Sequence, residues 1–254
     1  MEPTLISFLV FLITFVGSLL GLYLSNKLPK EYLQEDSRRS INLTLGLVST
    51  ITALIMGLVT ASTKESFDYM DKAVRSSEIK LLTLDRILRD YGPETVQLRK
   101  DLKASVGRIV ETNALKSRSE ELVLHSTIFE SLDNLIDDIR KLQPKDSYHQ
   151  SLYGQAMSIG NDLLESRWFA LNSVGSSVPN LFMGILIFWL FIIFTGFGLT
   201  SPRNRLVVFM FLLGAFAVSS GIFLILELDG AFDGIICISS EPMHLTYRLL
   251  GVDH

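Results

Sequence analysis

Residues 41–61 read INLTLGLVSTITALIMGLVTA, and residues 62–91 continue as STKESFDYMDKAVRSSEIKLLTLDRILRDY. The first stretch carries no charge and is long enough to cross a hydrocarbon core of about 30 Å as a helix. The second stretch is charged, but it keeps apolar residues at helical spacing until Gly92-Pro93, a pair that ends helices. We therefore predict one long helix that leaves a membrane and continues outside it.

Three further stretches are apolar and long enough to span a bilayer: Thr4–Leu24, Asn180–Leu199 and Leu206–Leu226. A cleaved signal peptide is the alternative for the first, but Glu2 is the only charge before it and the apolar run is too long. A backbone inside lipid must satisfy its own hydrogen bonds, so we predict that all four spans are helices. The predicted fold class is an all-α membrane protein with four transmembrane helices and a four-helix extramembrane domain between spans 2 and 3.

The distribution of charge predicts the domain boundaries. Of the 23 Lys and Arg residues 16 lie in 62–178, and so do 18 of the 27 Asp and Glu residues. We expect transmembrane helices 1 and 2 in 1–61, helices 3 and 4 in 179–228, and a C-terminal tail in 229–254. The extramembrane domain in 62–178 is predicted to contain helices over 64–91, 93–115, 122–142 and 147–177.

Orientation follows from the basic residues near the membrane. Four crossings place both termini and the large domain on one side, and the two short loops on the other. The short loops carry Lys27, Lys30, Arg38, Arg39, Arg203 and Arg205. This density favours the short loops in the cytoplasm of a bacterium and the helical domain outside its inner membrane.

A row of residues, four of which carry a hydroxyl group, runs along one face of the second span at spacings of three and four. Its members, here called the hydroxyl row, are Ser49, Thr52, Met56, Thr60 and Thr63. Such side chains bond to their own helix, pack between helices or face water. Helix packing is one interpretation; the other is a pore lining, because hydroxyl rings solvate ions without a fixed charge.

Two other groups of residues have a predicted role. Small residues that allow close helix packing occur in three spans: Gly17 and Gly21, Gly57 and Ala61, and Gly214, Ala217 and Gly221. Acidic residues follow the second and fourth spans on one side of the membrane: Glu65, Asp68, Asp71, Glu227, Asp229 and Asp233. An acidic mouth would attract cations, whereas solvated helix ends with Lys64, Lys72 and Arg75 as partners are the alternative.

Catalytic signatures are missing from the sequence. The four histidines, His125, His149, His244 and His254, have no metal-ligand spacing, and the single cysteine, Cys237, has no CxxC partner. No nucleophile elbow, phosphate loop or dinucleotide fingerprint occurs, and no basic stripe suggests nucleic acid. We therefore predict that the chain is not an enzyme and has no cofactor and no metal site.

Several short motifs resemble the bestrophin-like domain family of four-span bacterial membrane proteins. Residues 226–234, LELDGAFDG, look like the family signature after the last span, with Gly230 and Ala231 where the family has Arg-Pro. Residues 238–243, ISSEPM, are similar to its Ser-x-Glu-Pro-Leu ending, and 197–204 to its turn between the last spans. The stretch 57–91 is similar to its span and stalk, with Tyr69, Arg75 and Glu78 at family positions.

The resemblance implies an oligomeric membrane protein, because bestrophins proper are homopentameric anion channels with a pore lined by a transmembrane helix. Our leading hypothesis is a homo-oligomeric channel, a tetramer or pentamer in the lipid bilayer, whose second span lines an axial pore for small inorganic ions. The alternative is a non-conducting scaffold or sensor whose helical domain binds a protein partner. The sequence leaves the ion open.

Overall fold

A computed structural model describes residues 3–29, 34–114, 133–172, 180–230, 235–239 and 241–251. These residues form α1 (Pro3–Lys27), α2 (Glu35–Tyr91), a 3-10 turn (Pro93–Thr95), α3 (Val96–Ala114), α4 (133–140), α5 (Ser147–Asn172), α6 (Asn180–Thr200), α7 (Arg205–Asp229) and α8 (Glu241–Leu249). No strand occurs among the described residues, and the predicted all-α fold class is confirmed. By length and composition, α1, α2, α6 and α7 could each cross a membrane.

The helix α2 runs without a break through 57 residues, as its periodicity predicted. It ends where Gly92 adopts φ 125°, a conformation that disfavours side chains with a Cβ atom. Pro93 then opens the 3-10 turn, and the Thr95 hydroxyl donates to the Gly92 carbonyl at 2.8 Å. The predicted helix over 122–142 is described only from residue 133, because 115–132 lie outside the described residues.

The chain forms two compact units. The first unit comprises Met1–Asp68 and Ser176–Cys237, and the second comprises Tyr69–Gly175 and Ile238–His254. The predicted boundaries at residues 61, 178 and 228 stay predictions. The short helix α8, which the sequence assigned to a tail, belongs to the second unit.

In the first unit, α1 packs against α6 and α7 around Val10, Leu190 and Ile222. The Ser219 hydroxyl of α7 donates to the Ser7 carbonyl of α1 at 2.6 Å. An interhelical hydrogen bond of this kind adds to the van der Waals packing that holds helices together in lipid.

In the second unit, the C-terminal part of α2 packs with α3, α4, α5 and α8 around a continuous apolar core. Its fully buried members include Leu84 and Leu88 of α2, Leu102 of α3 and Ile139 of α4. Each buried leucine or isoleucine side chain stabilises the fold by about 1.5–3 kcal/mol. This unit therefore has a continuous apolar core of its own.

Candidate functional site

The apolar part of α2, which is the predicted second span, presents two different faces. The hydroxyl row lies on one of them. A second row of apolar residues is displaced by two positions, which is about 200° around a helix with 3.6 residues per turn, so it lies on the opposite face. We call these residues the exposed α2 row: Leu43, Leu47, Ile51, Leu54 and Leu58.

The hydroxyl row faces the interior of the first unit. Thr52 is 3% exposed and Thr63 is fully buried, whereas Ser49, Met56 and Thr60 are half-buried. Met56 packs against the core around Val10, Leu190 and Ile222. A side chain that is covered by its own subunit cannot also face water in a central pore. The burial of Thr52 and Thr63 therefore does not fit the predicted pore lining.

The three threonine hydroxyls of this row bond to carbonyls of their own helix. Thr52 donates to Val48 at 2.8 Å, Thr60 to Met56 at 2.7 Å and Thr63 to Val59 at 3.0 Å. This back-bonding satisfies the threonine hydroxyls without water, whereas the buried Ser49 Oγ has no hydrogen-bond partner among the described residues. Because their hydroxyls are satisfied within the helix, these threonines can be buried without contact to solvent.

The exposed α2 row is uncovered within the subunit. Four of its members are 63–70% exposed, and Ile51 is 41% exposed. In the most apolar 18-residue stretch of α2, 11% of the residues are buried. The corresponding shares are 39% for α1, 33% for α6 and 22% for α7. The span of α2 is therefore the least covered of the four. Sequence reasoning missed this row, because an apolar face in a membrane helix has no distinctive composition.

The predicted acidic mouth is largely paired or covered. Asp68 bonds to Lys64, and Asp71 accepts from Arg75 at 3.0 Å, both at helical i,i+4 spacing. Glu65 is exposed. Asp229 is half-buried near the end of α7, and Asp233 lies outside the described residues.

The most distinctive of these carboxylates is Glu227. It is 2% exposed within α7, and its Oε1 accepts hydrogen bonds from the backbone N–H groups of Ile235 and, at 3.1 Å, of Ile236. The side chain therefore holds the polypeptide that follows α7. It does not face an aqueous mouth within the subunit.

The predicted small residues differ in what they contact. A Cβ atom on Gly21 would lie 2.0 Å from the Thr195 carbonyl oxygen of α6, and one on Gly17 would lie 2.9 Å from the Phe191 ring. Gly221 faces Met56 and Gly214 faces Phe194. Gly57 has open space around it, and Ala61 and Ala217 are exposed. The closest backbone approach among these positions is therefore between α1 and α6.

One buried carboxyl in the second unit was not singled out as functional from the sequence. Glu78 is 6% exposed, and within the described part of the chain its Oε1 has no hydrogen-bond partner. It belongs to the charged part of α2, 17 residues after the predicted end of the second span at Ala61. Burial raises the pKa of the Glu78 carboxyl, and nearby Arg75 opposes this shift.

The long apolar helices, the exposed face of α2 and the helical second unit define a multi-span membrane protein. Comparison with protein families is consistent with this class. The bestrophin-like domain matches residues 12–243, which is most of the chain. The chain therefore belongs to the bestrophin-like family. No curated protein gives a significant match.

Two solved structures share the fold. A bacterial bestrophin homologue from Klebsiella pneumoniae, carrying a point mutation, is 16% identical with a TM-score of 0.71; the match covers 96% of this chain and 98% of that one. A second structure, described as a membrane protein with a point mutation, is 13% identical with a TM-score of 0.65 and 96% coverage of both chains. At these identities the similarity establishes the fold alone.

Proposed function

We propose that the chain is one subunit of a homo-oligomeric ion channel and that α2 lines an axial pore through which ions pass down their gradient. The observation that carries this proposal is the exposed α2 row. Lipid, a second subunit or a pore could each cover this face. Family membership and the fold shared with a bestrophin homologue support the pore. In this arrangement neighbouring subunits pack beside α2.

The exposed α2 row would make the pore narrow and apolar. When several copies of α2 surround an axis, each leucine position becomes a ring of leucines. Apolar constrictions of this kind gate by losing their water, and they open when the ring widens or becomes more polar. We therefore assign the pore lining to Leu47, Ile51, Leu54 and Leu58 in place of the hydroxyl row.

The choice of ion depends on charges outside the constriction. The pairing of Asp68 with Lys64 and of Asp71 with Arg75 cancels charge locally. Glu65 is exposed and has no ion-pair partner within the described residues. A ring of Glu65 residues would favour cations at this mouth. We propose Glu65 as the member of the acidic mouth with the largest effect on ion choice.

We further propose that the protein lies in a bacterial inner membrane with residues 62–178 outside. The basic residues of the short loops support this orientation. A reporter fused to the C-terminus tests it, because the proposal expects that tag to be accessible outside the intact cell. A tag that is accessible only after lysis would reverse the orientation.

The direct test of function is an ion-flux assay on the purified protein in liposomes. We expect flux above that of protein-free liposomes for at least one of K⁺, Na⁺ and Cl⁻. Leu54→Thr should raise this flux, because it makes the constriction more polar. No flux above background in any of several salts and pH values would favour the scaffold or sensor.

Cysteine labelling distinguishes the two faces of α2. The variants Leu54→Cys and Thr52→Cys are compared in a Cys237→Ser background. The native Leu54 side chain is 65% exposed and the native Thr52 side chain is 3% exposed. A charged thiol reagent should block flux through Leu54→Cys and leave Thr52→Cys unchanged, because the reagent reaches a water-filled pore but not the protein interior in which residue 52 is buried. Block of Thr52→Cys alone would return the pore lining to the hydroxyl row.

A further inference from the structure

A cleft of about 520 Å³ opens in the first unit beside the loop that joins α6 to α7. Leu19, Leu22 and Val208 form an apolar part of its wall, and Tyr23, Arg203 and Arg205 form a polar part. These residues lie at the end of α1 and the start of α7, where the two spans reach the edge of their apolar sequence. The cleft therefore lies at the predicted height of the lipid headgroups.

Close helix packing builds this cleft. A Cβ atom on Gly198 would lie 2.1 Å from the Ser18 carbonyl oxygen, so α1 and α6 approach each other there backbone to backbone. The following loop is thereby brought over α1. The Arg203 guanidinium donates to the Leu22 carbonyl oxygen from Nε at 3.1 Å and from Nη2 at 2.6 Å. These bonds fix a cation at the rim of the apolar wall.

The charges around the cleft are positive. The Arg205 side chain is exposed and has no ion-pair partner within the described part of the chain. Lys27 adds a third cation, with its Nζ 5.0 Å from the centre of the Tyr23 ring. None of the residues that line the cleft is acidic. The N-terminus of the long helix α7, capped by the Asn204 side chain at 2.8 Å from Val207 N, adds its partial positive charge.

We propose that this cleft binds an anionic phospholipid, with the phosphate held by Arg205 and Arg203 and an acyl chain against Leu19, Leu22 and Val208. A phosphate next to arginine forms strong charge-assisted hydrogen bonds. A free phosphate would use the cations but leave the apolar wall in water. The combination of both surfaces at the membrane edge selects a lipid, and the inference does not depend on whether the protein conducts ions.

Titration of the purified protein with phosphatidylglycerol in neutral mixed micelles tests the proposal, with phosphatidylcholine as the reference and thermal unfolding as the readout. Arg205→Gln should weaken the apparent affinity for phosphatidylglycerol about fivefold, the effect of one surface cation. Arg39→Gln removes the same charge from the exposed start of α2, outside the cleft, and should change the affinity less than about twofold. Val208→Trp keeps every charge but places a bulky side chain in the apolar part of the cleft, and it should also weaken the binding of phosphatidylglycerol.

Inorganic phosphate and glycerol 3-phosphate at matched ionic strength separate a lipid site from a site for free phosphate. Neither of these two anions should displace more lipid than chloride does at the same ionic strength. Three results would overturn the proposal: equal binding of phosphatidylcholine, equal loss in Arg205→Gln and Arg39→Gln, or displacement of the lipid by inorganic phosphate. Unchanged lipid binding in Val208→Trp would remove the acyl-chain part of the site.

Discussion

Polar side chains of α2 and α3 hold the residues that follow α8 in the second unit. Asp85 of α2 accepts from Arg99 Nε of α3 at 2.9 Å, and its other oxygen accepts from the Gly251 backbone N–H at 3.4 Å. Lys103 donates to the Leu250 carbonyl oxygen at 2.7 Å. Thus the residues after α8 are tied to α2 and α3 by polar contacts that the sequence could not reveal, because their partners lie more than a hundred positions apart.

The buried pair of Asp85 and Arg99 gives the first prediction. The two side chains are 11% and 12% exposed. Asp85→Asn leaves the Arg99 charge without its counter-ion, and we expect a loss of about 3 kcal/mol in the free energy of unfolding. Asp90→Asn, which breaks an exposed pair with Arg89, is the matched control. Equal thermal midpoints for the two variants, measured by circular dichroism, would contradict the assignment.

The buried carboxyl of Glu78 gives a prediction about pH. Because burial raises its pKa in the folded state, the folded protein binds more protons than the unfolded chain between the ordinary and the raised pKa. The free energy of unfolding should therefore fall as the pH rises through this interval. Glu78→Gln should be more stable than the native protein at about pH 8, and this gain should vanish below the ordinary glutamate pKa of about 4.3.

The control for this measurement is Glu65→Gln, which removes an exposed carboxyl from the same helix. Thermal midpoints at a series of pH values report both variants. A Glu78→Gln curve parallel to that of the native protein would show that the Glu78 carboxyl does not titrate differently in the folded state.

At the scale of whole helices, the contact between α1 and α6 depends on glycine. Gly21 and Gly198 each face a backbone carbonyl oxygen of the opposite helix, at a distance that leaves no room for a methyl group. Gly21→Ala should force the helices apart and cost about 1–3 kcal/mol. Gly57→Ala, in open space on α2, should be neutral or stabilising. Equal thermal midpoints for the two variants would contradict a close contact at Gly21.

The sequence predicted the elements better than their faces. Unbroken periodicity and the Gly92-Pro93 stop predicted α2 as one helix, and the structure confirms it. The sequence did not predict which face of α2 is buried in the first unit. Threonine satisfies its hydroxyl on the i−4 carbonyl, so its position does not reveal whether it faces water, lipid or protein. Apolar residues likewise look alike in lipid, in a helix interface and in a constriction.

For the whole molecule, the fold class and family were predictable and the arrangement of subunits was not. Four uncharged stretches and short motifs in the tail led to the bestrophin-like family, which the match over residues 12–243 confirms. Subunit number depends on surfaces that only the assembled protein buries. In a single chain the exposed α2 row is a surface of this kind, and it is consistent with several kinds of assembly.

Cryo-electron microscopy of the purified assembly in lipid nanodiscs tests the central proposal most directly. We predict a closed ring of four or five subunits in which α2 is the helix nearest the axis, with Leu47, Ile51, Leu54 and Leu58 facing a central cavity. A monomer, or a dimer in which these side chains are buried between two helices or turned to lipid, would contradict it.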